Sequence, residues 1–99
     1  SVSALNPNLQ RSSISGKGKI DYAAPGVNIL TTDSKGNYSK FDGTSFATAF
    51  VSGTIGTLIS NTEEKITNKN LHNFLKKYVV DLGKEGFDEE YGYGLIQIK

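Results

Sequence analysis

The feature that most restricts how this chain can fold is a long segment without charge. Residues 43–61 contain no Asp, Glu, Lys or Arg, and their apolar side chains fall on every side of a helical wheel. Such a helix is predicted to be buried all round, as the central helix of a larger α/β domain would be. Its small residues would let a sheet or a second helix approach the backbone closely: Ala47, Ala49, Gly53 and Gly56.

A membrane span is the competing interpretation of this segment. Serine and threonine recur along it, and Gly53 and Gly56 interrupt its apolar residues. A helix that faces lipid needs about 20 predominantly apolar residues, so this segment is too polar for that role. The sequence therefore predicts an interior helix and no membrane span.

Shorter elements are predicted on both sides of the uncharged segment. Short apolar runs bounded by turn residues indicate strands over 2–5, 20–23, 27–31 and 38–41. A second helix is predicted to begin at Thr67 as its N-cap, with Ile66 and Leu71 as a hydrophobic staple. Its apolar stripe has helical spacing: Leu71, Phe74, Leu75, Tyr78 and Val79. A polar surface loop over 81–90 and a strand over 95–98 are expected to complete the chain.

Composition excludes several classes of partner and site. The chain has 99 residues, which bounds it to one domain or less, and its formal net charge of +1 predicts no nucleic-acid or anionic-membrane partner. It has no cysteine, so disulfides and Cys-ligated metals are excluded. No segment has the dense oxygen-ligand spacing of a metal site, and neither a metal nor a cofactor is predicted. The first residues lack the basic and apolar regions of a signal peptide, so any export signal is expected upstream of Ser1.

The sequence Gly43-Thr44-Ser45 opens the uncharged helix and invites two interpretations. A serine before a helix is most often an N-cap, whose hydroxyl accepts a hydrogen bond from an otherwise unpaired amide. A hydroxyl at that position is also a candidate nucleophile, because unpaired amides and the positive end of the helix dipole can stabilise an oxyanion beside it. The nucleophile elbow of α/β-hydrolases is excluded, since that turn requires glycine where this chain has Ala47.

Two motifs in order resemble those of the subtilisin-like serine proteases. Residues 43–53, GTSFATAFVSG, are similar to the serine motif of that family, usually written G-T-S-x-A-[ST]-P-x-V-[AS]-G. Residues 21–27, DYAAPGV, resemble the strand and APG segment that precede it, and the similarity extends over nearly the whole chain. The sequence departs from the motif at Ala49, where the family has proline. That change removes a backbone constraint near the first turn of the helix but no reacting group.

The resemblance implies a fold and a set of roles. Residues 1–99 would be the C-terminal part of a three-layer α/β/α catalytic domain, with a buried central helix after the catalytic serine. Ser45 would be the acylating nucleophile, and its own N–H, with Thr44, would help to hold the oxyanion. Because the family order is Asp, His, Asn and then Ser, the other catalytic residues would lie before Ser1, on an N-terminal portion that acts as partner. The substrate would be a peptide or protein, and the chain alone is predicted to be inactive, since a serine without its base is a weak nucleophile.

The titratable residues within the chain are expected to be structural. His72 follows the serine and lies off the apolar stripe of the second helix, so it is predicted to be a surface residue and not the catalytic base. Asp21, Asp33 and Asp42 are interpreted as turn or strand-end residues, because the family places its acid far upstream.

The subtype and two alternatives remain open on the sequence. The Lys-, Asn- and Ile-rich composition and the opening SVSALN are similar to Gram-positive peptidases that trim leader peptides from lantibiotics, which implies a secreted or cell-surface protein. One alternative is a non-catalytic, truncated remnant that only packs against a partner chain. A small independent α/β binding module is a second, but too few elements would remain to cover the uncharged helix.

Overall fold

A four-stranded sheet forms the base of the structure. The computed structural model describes residues 1–98. The strands β1 (Val2–Leu5), β2 (Tyr22–Pro25), β5 (Val79–Val80) and β6 (Leu95–Ile96) join in the order β1-β2-β6-β5. The pairs β1–β2 and β2–β6 are parallel, and β5 is antiparallel to β6. The predicted strand over 2–5 is confirmed, whereas the next begins two residues later than expected and the last ends two residues earlier.

Two helices cover one face of this sheet. The long helix α1 (Thr44–Ser60) and the short helix α2 (Leu71–Leu75) share a core with the strands, and a 3-10 turn (Lys76–Tyr78) follows α2. Side chains alternate between the two faces of each strand, so Ala4 and Ala24 face the helices while Leu5 and Ala23 face the other way. Leu82 and Tyr91 from the C-terminal loops pack on that second face. The mixed α/β class predicted from the sequence is confirmed.

The uncharged helix, predicted to be buried all round as the central helix of a larger α/β domain, is buried on one side only within this chain. Only one stripe of α1 is buried: Ala47, Val51, Thr54 and Leu58. Phe50 and Ile59 on its other sides are 44% and 39% exposed. The physical reason is that the main contacts of α1 are those with β1 and β2, which lie on one side of it.

The second helix is also shorter than predicted. Its regular part begins at Leu71 with Asn70 as the N-cap residue, so Thr67 is not the N-cap. The side chain of Asn70 accepts a hydrogen bond from the Thr67 amide at 2.7 Å and donates one to the Lys65 carbonyl at 2.9 Å. These bonds hold residues 67–70 in a turn that precedes the helix, because an asparagine side chain competes with the backbone for hydrogen-bond partners.

A separate β-hairpin connects the sheet to α1. Strands β3 (Ile29–Thr32) and β4 (Tyr38–Phe41) are antiparallel, with Ile29 opposite Phe41 at the open end and Thr32 opposite Tyr38 near the turn. The prediction for β4 is confirmed, and β3 begins two residues later than expected. Because α1 begins three residues after β4, the hairpin leads the chain directly into the N-terminus of the long helix.

Candidate active site

Ser45 lies in the first turn of α1 with its side chain exposed to solvent. The N-cap residue is Gly43, and no side chain forms a capping hydrogen bond there. The capping interpretation of this serine is therefore wrong, since another residue occupies the cap. Within residues 1–98, the Ser45 hydroxyl forms no hydrogen bond with a neighbouring group. The Ser45 hydroxyl is therefore accessible to a molecule that approaches from solvent.

Two backbone amides at this helix end lack acceptors among the described residues. The first amides of any α-helix have no partner within the helix, and here Phe46 donates to the Gly43 carbonyl at 3.2 Å. The amides of Thr44 and Ser45 precede it and find no carbonyl in residues 1–98. They stand at the positive end of the α1 dipole, so an anion beside the Ser45 hydroxyl would be stabilised by both.

The turn that presents Ser45 rests on Gly26. The carbonyl of Gly26 accepts a hydrogen bond from the Gly43 amide at 2.8 Å, and the Gly26 amide donates to the Leu5 carbonyl at 3.1 Å. A Cβ at Gly26 would lie 2.5 Å from the Cβ of Ala4 and 2.8 Å from the Gly43 carbonyl oxygen. Only glycine allows this approach, so the APG segment and the serine segment touch where β1 and β2 end.

Two further contacts flank the turn. The carboxylate of Asp42 accepts a hydrogen bond from the Asn28 amide at 2.8 Å. The rings of Phe41 and Phe46 are stacked, with their centroids 6.1 Å apart and an interplanar angle of 23°. Phe46 follows the serine directly, so this pair forms an apolar surface beside Ser45. Neither contact was predicted. Asn28 adopts φ 57°, a conformation that asparagine tolerates better than most residues, so the asparagine at this position was the one signal in the sequence that could have indicated a turn there.

His72 lies away from this turn. Its Nδ1 atom forms a hydrogen bond of 2.6 Å with the hydroxyl of Tyr22, and its ring stacks on the Tyr22 ring with centroids 5.6 Å apart. Tyr22 begins β2 and Gly26 follows the end of that strand, so His72 and the Ser45 turn contact opposite ends, about 13 Å apart at 3.3 Å per residue. The prediction that His72 is a surface residue is confirmed, but its ring is also held by two tyrosines, Tyr22 and Tyr93.

The three aspartates occupy the structural positions expected of them. Asp21 immediately precedes β2, Asp33 lies in the turn of the hairpin, and Asp42 directly follows β4. Asp33 accepts hydrogen bonds from the Ser39 hydroxyl at 2.7 Å and from the amides of Asn37 and Lys35. These bonds, with that of Ser39 the strongest, lower the pKa of the Asp33 carboxyl.

The long helix is regular where the serine motif departs from the family pattern. Ala49, which stands where the serine motif normally has proline, lies in an uninterrupted turn of α1. Among residues 1–98 no cluster of three or more His, Asp or Glu side chains could hold a metal ion. In the same part of the chain, no helix has the length and apolar character needed to cross a bilayer.

The fold and the serine turn together are those of a protease family. The sequence matches the Subtilase family, peptidase S8, over residues 1–94. The chain belongs to this family, as the resemblance of its two motifs predicted.

Named relatives agree with this placement. The chain is 38% identical to the minor extracellular protease Epr of Bacillus subtilis and 35% identical to subtilisin E of the same species, over 99% of its own length in each case. It spans only 15% of the length of Epr and 25% of that of subtilisin E. Its structure is similar to the crystal structure of a lanthipeptide protease, with a TM-score of 0.81, 30% identity, and coverage of 96% of this chain and 38% of that one.

Proposed function

We propose that residues 1–99 are the serine-bearing, C-terminal part of the catalytic domain of a subtilisin-like serine endopeptidase. The observation that carries this proposal is the position of Ser45, an exposed hydroxyl at a helix N-terminus beside the unpaired amides of Thr44 and Ser45. That arrangement pairs an attacking oxygen with donors for the oxyanion it would create. The catalytic Asp and His and the oxyanion-hole Asn are assigned to an N-terminal portion of the same protease.

The proposed reaction is acyl transfer to Ser45. Its Oγ attacks the scissile carbonyl while an imidazole from the N-terminal portion takes the hydroxyl proton, and the carbonyl oxygen becomes an anion facing the amides of Thr44 and Ser45. Collapse of this intermediate breaks the C–N bond, and the imidazole returns the proton to the leaving amine. Water then attacks the ester and frees Ser45. His72 has no part in these steps, because its Nδ1 is bonded to Tyr22 at the other end of β2.

The substrate is proposed to be an extended peptide or protein. By analogy with subtilisin-like enzymes, residues 37–42 would lie near the leaving-group side of the scissile bond, where the stacked Phe41 and Phe46 offer an apolar surface. The likeness to a lanthipeptide protease supports a peptidase that trims leader peptides from lantibiotics.

The proposed location is outside the cell or at the surface of a Gram-positive bacterium. Support comes from the relatives, since Epr of Bacillus subtilis is named as an extracellular protease.

The exposed face of α1 supports the need for a second portion. A groove on this helix is lined by small and apolar residues: Ala49, Phe50, Gly53, Thr54, Thr57 and Ile98. We assign this groove to contact with the N-terminal portion, because Phe50 is left 44% exposed without it. A non-catalytic remnant that only packs with a partner chain would use the same face, and reactivity at Ser45 separates the two functions.

A fluorophosphonate probe, which reacts with activated serines, tests the proposal. We expect no labelling of the chain alone. Labelling is expected once the chain is mixed with the remaining part of the lanthipeptide protease, that is, the part to which this chain has no structural counterpart. Ser45→Ala should abolish labelling, whereas Ser52→Ala, at another exposed serine of α1, should not. Labelling that persists in Ser45→Ala would contradict the assignment of the nucleophile. An assembled complex that never labels would favour the non-catalytic remnant.

A further inference from the structure

The turn before Ser45 is attached to residues 26–28 by two hydrogen bonds. One joins the Gly43 amide to the Gly26 carbonyl, and the other joins the Asn28 amide to the Asp42 Oδ1 atom, each at 2.8 Å. We infer that Asp42 is a positioning residue for the nucleophile, which it orients by binding the Asn28 amide. This inference rests on the proposed function, since it concerns how Ser45 is presented for attack.

One hydrogen bond between two segments does not fix their relative orientation. The Gly43–Gly26 bond sets a distance between the two segments but leaves rotation about the bond free. A second bond, which the Asn28 amide donates to the carboxylate of Asp42 one residue before Gly43, restricts that rotation. The packing of α1 on β1 and β2 sets the direction of the helix. The two hydrogen bonds fix how the chain enters its first turn, and with it the position of the Ser45 Oγ.

No other contact of Ser45 can set that position. Its hydroxyl has no hydrogen-bond partner within residues 1–98 and its side chain is exposed. The position of Oγ therefore depends on the backbone of Gly43 and Thr44. Gly26 is a firm support for this backbone, because it is bonded to Leu5 and lies against Ala4 too closely to admit a Cβ.

The conformation of Asn28 shows that the bond replaces part of the hairpin ladder. Backbone pairing ends at Ile29 and Phe41, and the next residue toward the open end, Asn28, turns to φ 57°. Its amide therefore meets the carboxylate of Asp42 in place of a main-chain carbonyl. An apolar residue at position 42 would leave this amide without that acceptor. The open end of the hairpin would then be less firmly held relative to Gly26.

A rival explanation is that Asp42 acts only through its negative charge, which favours the positive end of a helix dipole. The two explanations differ for asparagine, which keeps an acceptor oxygen and loses the charge. Asp42→Asn should behave like the unmodified chain if the hydrogen bond positions Ser45. It should behave like Asp42→Ala if charge alone matters.

The first measurement is the rate constant of fluorophosphonate labelling. It is made on the chain mixed with the part of the lanthipeptide protease to which this chain has no structural counterpart. Because small displacements of reacting groups are costly, Asp42→Ala is expected to lower this rate between about 10- and 100-fold. Asp42→Asn should stay within about threefold of the unmodified chain. Asp33→Ala, which removes a carboxylate at the other end of the same hairpin, is the matched control and should have no effect. An unchanged rate in Asp42→Ala, or an equal loss in Asp42→Asn, would overturn the inference.

The second measurement needs no catalysis and uses the full chain alone. Hydrogen exchange of the Gly43 amide should accelerate about tenfold or more in Asp42→Ala, although its own acceptor at Gly26 is untouched, and should be preserved in Asp42→Asn. If even the unmodified chain never labels, the proposed function fails while this exchange rate still decides the role of Asp42. Unchanged exchange at Gly43 in Asp42→Ala would refute that role.

Discussion

Gly26 and Gly43 meet backbone to backbone, with the Gly26 carbonyl 2.8 Å from the Gly43 amide nitrogen. The whole β3–β4 hairpin separates them in sequence, yet this contact brings the two family motifs together at the carboxyl end of β2. The serine turn is therefore placed by the sheet and not by the helix alone.

The space at Gly26 predicts a steric effect of substitution. Gly26→Ala should destabilise the chain by about 1–3 kcal/mol, because its Cβ would overlap Ala4 and the Gly43 carbonyl. Gly53→Ala is the matched control: a Cβ there meets no atom within 4 Å, and alanine in a helix should stabilise by about 0.5–1 kcal/mol. Urea denaturation midpoints measure both changes. Equal stability of the two variants would show that Gly26 is not confined.

The one-sided burial of α1 predicts that adjacent residues respond differently. Val51 is 6% exposed and Phe50 is 44% exposed. Val51→Ala should lower the free energy of unfolding by about 1–3 kcal/mol through lost burial and a cavity. Phenylalanine and serine have similar helix propensities, so Phe50→Ser should change the free energy of unfolding by no more than about 0.5 kcal/mol. The same urea titrations test this pair, and a large loss in Phe50→Ser would mean that α1 is covered on a second face.

The burial of the Tyr22 hydroxyl predicts an alkaline dependence of stability. Burial of the Tyr22 hydroxyl, then the nearby Tyr93 and Asp21, raises its pKa from 10.0 to about 12. The folded state therefore holds this proton more tightly than the unfolded state, so the stabilisation is complete below pH 10 and is lost as the pH rises toward 12.

Tyr22→Phe isolates this effect. At neutral pH the variant should be less stable by about 0.5–1.5 kcal/mol, the typical net value of one hydrogen bond. The difference from the unmodified chain should shrink above pH 10, measured as denaturation midpoints against pH. A difference that stays constant up to pH 12 would contradict the raised pKa.

The hairpin turn predicts an acid dependence with the opposite sign. The Ser39 hydroxyl and the amides of Asn37 and Lys35 favour the ionised form of Asp33 and lower its pKa. Its contribution to the hairpin is therefore present above the ordinary carboxyl pKa of about 3.9 and lost as the pH falls through the lower folded value. Chemical shifts of the Asn37 amide followed against pH should report this transition. Asp33→Asn should remove it, and a transition that survives in that variant would belong to another group.

Several features could be predicted because they depend on neighbours in sequence. The absence of charge over residues 43–61 predicted a long helix, and α1 covers nearly that range. A short run bounded by turn residues predicted β4 over residues 38–41. The start of α2 was missed because the Asn70 side chain forms local hydrogen bonds that apolar spacing does not reveal.

By itself, then, the sequence determined the family, the helix that follows Gly43-Thr44-Ser45, and Ser45 as the candidate nucleophile. Only the tertiary structure decided that Gly43 rests on Gly26, that Asp42 binds the Asn28 amide, and that one face of α1 is left open. The physical reason is the separation in sequence between the residues that interact. Helix periodicity and motif spacing are local properties of the chain, whereas these contacts join separate segments and form only when the strands and the helix have packed together.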